Sequence, residues 1–98
     1  MSYASGHPDL AHKRRFDDGA ISEMTLWLVP NPVRGSRHRF RCSLFYGRRG
    51  ERLIGYDNEP CKGDHRHYGI REEPYHFTTP AGLVADFLAE VHAMRRRQ

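Results

Sequence analysis

Long apolar runs are missing from this 98-residue chain. None approaches the roughly 18 apolar residues that a membrane-spanning helix needs, so a helical membrane protein is excluded. Met1-Ser2-Tyr3-Ala4-Ser5-Gly6-His7-Pro8 carries no apolar segment of the kind that heads a secretory signal. These absences predict a cytoplasmic protein, with residues 1–8 as a flexible tail. Cysteine is scarce as well. Cys42 and Cys61 stand far apart and make no Cys-x-x-Cys, which excludes a structural zinc site built from cysteines. In a reducing cytosol both are expected as thiols. Internal repeats and low-complexity segments are also lacking.

What is present suits one folded domain over residues 1–98. The chain is 38% hydrophobic and 29% charged, ordinary for a globular protein and too apolar for wholesale disorder. Its length allows one modest two-layer core. The formal net charge is +4. Arginines cluster at Arg14-Arg15, Arg48-Arg49 and Arg95-Arg96-Arg97. A basic surface suits a polyanion, whether nucleic acid or an acidic protein. A merely solvated basic face accounts for the same charge.

Along the chain, Leu10 to Phe16 alternates as a basic edge strand, and Asp17-Asp18-Gly19 is a hairpin signal. Ala20 to Val29 is a strand with Met24, Leu26 and Leu28 on one face, stopped by Pro30-Asn31-Pro32. His38 to Tyr46 sets Phe40, Cys42, Leu44 and Tyr46 against Arg39, Arg41 and Ser43. Gly47 to Gly50 is a turn, and Glu51 to Tyr56 returns as a strand. Residues 57–73 then read as a long functional loop, followed by a short last strand, Tyr75-His76-Phe77-Thr78. Thr79-Pro80 is a helix start, threonine as cap and proline in the first turn. The helix is predicted over 80–94, with Leu83, Val84, Phe87, Leu88, Val91 and Met94 as its apolar stripe. The expected fold is α+β: an antiparallel four- to five-stranded meander with one C-terminal helix packed across a face.

The chemistry concentrates in the predicted loop. His65 and His67 are two apart, so in extended backbone both imidazoles point the same way. Such a pair can serve as general base and general acid near neutral pH. Ribonucleolytic cleavage needs both roles. One group takes the 2′-hydroxyl proton, and the other protonates the leaving 5′-oxygen. Asp57 or Asp64 could orient a histidine. Lys62, Arg66 and Arg71 supply cations for the phosphate, and Asn58 is a further substrate-binding candidate. The same His-x-His with Asp57 or Asp64 is a plausible divalent-metal set, the less favoured reading, so no cofactor is expected. A purely structural account, in which Asp57-Asn58 and Gly63-Asp64 are turn formers, competes with both.

The run Tyr56-Asp57-Asn58…Lys62-Gly63-Asp64-His65-Arg66-His67, with Arg71-Glu72-Glu73-Pro74-Tyr75-His76-Phe77 and the helical Leu83-Val84-Ala85-Asp86-Phe87-Leu88, resembles the TumE-like family of prokaryotic toxins. Asp57, Asn58, Lys62, Gly63, Asp64, His65, Arg66 and His67 carry the most specific part of the likeness. Pro60-Cys61 departs from it, standing where a small glycine-containing link is expected. The resemblance implies the toxin component of a type II toxin–antitoxin module. Its partner would be a cognate antitoxin, often a helix-turn-helix DNA-binding protein. It implies no defined reaction. RNA cleavage, with RNA as target, is inferred from the histidines and their basic surroundings. The alternative is a non-catalytic module that grips nucleic acid or protein through its basic surface.

Overall fold

The structure, a computed structural model, describes residues 8–97. The tail expected over residues 1–8 therefore lies, apart from Pro8, outside the described residues. Those residues form six strands and one helix: β1 (Leu10–Arg15), β2 (Ala20–Leu28), β3 (Phe40–Arg48), β4 (Glu51–Glu59), β5 (Gly63–Tyr68), β6 (Arg71–Pro74) and α1 (Pro80–Arg97). The strands make one antiparallel meander in sequence order.

The α+β architecture is as expected, but the sheet has six strands rather than four or five. The difference lies in residues 57–73. Pro60 and Gly63 bracket a tight turn, closed by Lys62 N–H donating to the Glu59 carbonyl at 3.1 Å. A second turn at Gly69-Ile70 joins β5 to β6. The charged run between these turns is strand β5, paired with β4 on one side and β6 on the other, not loop. The strand expected over Tyr75 to Thr78 belongs instead to Arg71–Pro74. Pro74 has no N–H to give a ladder, which suits the end of a strand. Beyond it the chain leaves the sheet, and Phe77 stacks on His38 with centroids 3.6 Å apart.

Alternation in β2, β3 and β4 puts Met24, Leu26, Cys42, Leu44, Tyr46, Ile54 and Tyr56 on one buried face. The helix lays Leu83, Phe87 and Val91 on that face. Phe87 meets Tyr56 edge to face, centroids 5.9 Å apart. Thr79 Oγ1 accepts the Gly82 N–H at 2.9 Å, so the predicted cap is present. The helix runs on to Arg97 rather than ending at Met94. Cations at its carboxyl end favour the extra turn, and Arg95 is also held by the Tyr46 hydroxyl at 2.9 Å and by Asp18 at 3.2 Å. Leu88, read as part of the apolar stripe, is exposed. No helix among the described residues is long and apolar enough to cross a membrane.

Candidate functional site

Strand register builds the site. Across β4 and β5, Asp57 faces His65 and Asn58 faces Asp64. Across β5 and β6, His67 faces Glu72 and Arg66 faces Glu73. Because side chains alternate, Asp57, His65, His67 and Glu72 share the face turned away from the helix. Asn58, Asp64 and Arg66 share the helix face.

The first group converges on one spot. His65 Nε2 lies 2.6 Å from Asp57 Oδ1, 3.3 Å from Glu72 Oε2 and 3.7 Å from Glu59 Oε1. His67 Nε2 lies 3.5 Å from the same Asp57 Oδ1. The two rings meet edge to face at 4.9 Å. Both are buried, 4% and 8% exposed. Yet Asp57 Oδ1, His65 Nε2 and His67 Nε2 complete no hydrogen bond among the described residues. The short distances are off the hydrogen-bonding direction, so the three atoms, all within 4.8 Å of one another, leave one another unsatisfied.

The far nitrogens are fixed by opposite kinds of partner. His65 Nδ1 is 3.0 Å from the Gly63 carbonyl, an acceptor, so Nδ1 carries a proton. His67 Nδ1 is 3.0 Å from an Arg52 guanidinium nitrogen, a donor, so Nδ1 accepts and Nε2 carries the proton. Burial first, then the Arg52 charge, hold His67 below the usual histidine range, against the pull of Asp57. Lys62 sits 3.2 Å from Glu72 and keeps its carboxyl below the usual range.

Arg52 reaches this face through a register shift. The β3–β4 pairing slips between Tyr46 and Gly47, leaving Leu53 without a partner and setting Arg52 opposite Gly47. Simple alternation would have placed Arg52 with Ile54 on the helix face. Gly55 makes room for it: a Cβ there would stand 2.7 Å from Arg52 Cδ.

The other sequence candidates lie elsewhere. Asp64 accepts from Ser36 at 3.0 Å and pairs with His38 at 2.7 Å on the helix face. Arg66 is bound there by Glu73 at 2.5 Å and Glu90 at 3.2 Å. Glu90 also accepts from the Tyr56 hydroxyl. Asn58 is buried and spans the gap where β3 and β4 diverge, accepting the Cys42 N–H at 2.9 Å and donating to the Phe40 carbonyl at 2.7 Å. Arg71 points into solvent, 3.8 Å from Glu73. Lys62 alone of the predicted cations adjoins the histidine pair, through Glu72. A two-residue period separates these sets once residues 63–68 are known to be strand. Two members of the cluster were not legible as such. Glu72 comes in through the β5–β6 register, and Arg52 through the bulge.

A family model described as Toxin TumE matches residues 7–95. No curated protein and no solved structure matches the chain. The matched span takes in every strand, all but the last residues of the helix, and the whole Asp57–His65–His67 cluster. The chain belongs to the TumE toxin family.

Proposed function

We propose that this toxin arrests growth by cleaving RNA, with His65 and His67 as the proton-transfer pair and Asp57 between them. The supporting observation is that the two neighbouring rings have opposite partners at Nδ1, an acceptor at His65 and a donor at His67; in the neutral rings this leaves Nε2 with a lone pair on the first and a proton on the second. The first is suited to take the 2′-hydroxyl proton, the second to protonate the leaving 5′-oxygen. A neighbouring pair whose environments differ in this way is how acid and base roles become separated. Arg52 and Lys62 flank the spot and would stabilise charge on the phosphate.

Glu72 stands in the approach. Its carboxylate lies between Lys62 and His65, half exposed, on a strand of four residues. A phosphate carries the same charge and would take over the same cation as Glu72 swings out.

The test is purified protein with RNA, with and without chelator. Metal-independent cleavage is expected. His65→Ala and His67→Ala should each lose on the order of 10²–10⁴ in rate and lose growth arrest, while far-ultraviolet dichroism stays native. Two variants that keep full toxicity would remove the assignment. The partner in this reading is a cognate antitoxin of the helix-turn-helix DNA-binding type.

A second reading, a grip without cleavage, is favoured by one feature. A groove of about 610 Å³ between β1 and the helix is lined by Arg14, Arg15, Phe16, Arg95 and Arg96. RNA bound and left intact would select it.

A further inference from the structure

We infer that Asp57 Oδ1, His65 Nε2 and His67 Nε2 form a binding site for one divalent first-row transition-metal ion.

Buried polar atoms without partners are costly, roughly 1–3 kcal/mol each, and folded proteins keep few of them. Here there are four such side-chain atoms among the described residues, and three are these. The fourth, Arg48 Nε, is on the neighbouring strand β3, outside the cluster. Three orphans within 4.8 Å of one another are better accounted for by one shared ligand than by three separate defects. A divalent ion takes all three atoms as electron-pair donors once His67 gives up its Nε2 proton. A water that accepts from His67 and donates to Asp57 and His65 is the competing occupant, and it would leave no saturable metal binding.

The chemistry of the set narrows the ion. Two nitrogens and one carboxylate suit zinc and its neighbours rather than calcium or magnesium, which take oxygen ligands. The outer contacts agree for His65. Its Nδ1–H donates to the Gly63 carbonyl, the usual way a metal-binding imidazole is oriented with Nε2 free. Glu72 Oε2, 3.3 Å from His65 Nε2, is placed to add a fourth ligand. At His67 loading requires one change. The Nε2 proton leaves to solvent or moves to Nδ1, and Arg52 gives up Nδ1 for Asp57 Oδ2, now 4.0 Å away. Removing Arg52 should therefore tighten binding.

This inference stands on ligand geometry and does not require RNA as the substrate. It has a consequence for cleavage by the proton-transfer pair. An ion on both Nε2 atoms occupies the positions that exchange protons, so the loaded protein cannot use them that way.

The test uses the whole chain, freed of metal by chelation and titrated with cobalt(II) and with zinc(II). Expected are visible cobalt absorption and a one-to-one calorimetric isotherm for zinc. His65→Ala and the near-isosteric Asp57→Asn should each lose saturable binding, and Arg52→Met should strengthen it. His76→Ala and His92→Ala, away from the cluster, should leave it unchanged. Absence of saturable binding to the native protein would overturn the site, as would binding that survives in the Asp57→Asn and His65→Ala proteins. Cleavage is read separately. Inhibition by zinc, relieved by chelator, agrees with both readings. Cleavage that requires the ion leaves the site standing and overturns the metal-free proton transfer.

Discussion

Asp57 Oδ1 and His65 Nε2 are 2.6 Å apart across the β4–β5 pair, yet neither satisfies the other's hydrogen-bonding capacity. Register brings the two side chains together; direction keeps them from closing on each other. Whatever completes the cluster, a proton in flight or an ion, must lie off the line between them. The functional readings differ chiefly in what occupies that point.

Arg52→Met should raise the pKa of His67. The guanidinium opposes a second positive charge and donates to Nδ1, and its removal lifts both constraints. Burial is the larger cause of the depression and persists, so His67 should still titrate below an ordinary histidine. Imidazole resonances followed by NMR against pH check this. An unchanged or lower pKa would mean that Arg52 does not face the ring in solution.

Asn58→Ala should unfold more easily, by about 2 kcal/mol, because it strips the Cys42 N–H and the Phe40 carbonyl of their partner. The cost should appear as a lower denaturant midpoint. Where the variant remains folded, cleavage and growth arrest should persist. A variant of native stability and no activity would return Asn58 to the substrate-binding set.

Cys61→Gly should stabilise the protein by about 1 kcal/mol. Cys61 holds φ at +72°, a region that favours glycine. Relief of that strain outweighs the greater freedom of glycine in the unfolded chain. The position lies at the tip of the β4–β5 turn, where Gly63 and Gly35 pack so closely that a Cβ on Gly35 would stand 2.7 Å from the Gly63 nitrogen. Chemical denaturation of the two proteins measures the difference.

The two thiols should react unequally. Cys61 is exposed, whereas Cys42 is buried and its thiol is pushed up to about 12, first by burial and then by Asp64 and Asp57. At mildly alkaline pH iodoacetamide should label one thiol per native chain and two after unfolding. Peptide mapping that finds Cys42 modified in the native protein would contradict its placement under the helix.

Glu72→Ala should increase the rate of RNA cleavage at low substrate. It removes an anion from beside Lys62 and His65 and opens the approach. A decrease would make Glu72 part of the working centre rather than its cover.

Much of this was written in local pattern. The two-residue alternation of Met24, Leu26, Leu44 and Tyr46 could serve only a sheet buried on one face. Thr79-Pro80 and the spacing of Leu83, Phe87 and Val91 could serve only a helix laid on it. His65 and His67 on one side of an extended chain followed from the same alternation, as did the family likeness from the run around them. Local pattern failed where two strands had to find each other. Pro60 and Gly63 look alike whether they punctuate a loop or bound a hairpin, and pairing with β4 and β6 decided for the hairpin. That pairing brought Glu72 beside His65 and carried Asp64 and Arg66 to the opposite face. Arg52 needed more, a one-residue slip at Gly47 that reverses the side of a strand. Periodicity is a property of neighbours in the chain. Register, and with it the meeting of Asp57, His65, His67 and Arg52, depends on contacts between segments that only folding brings together.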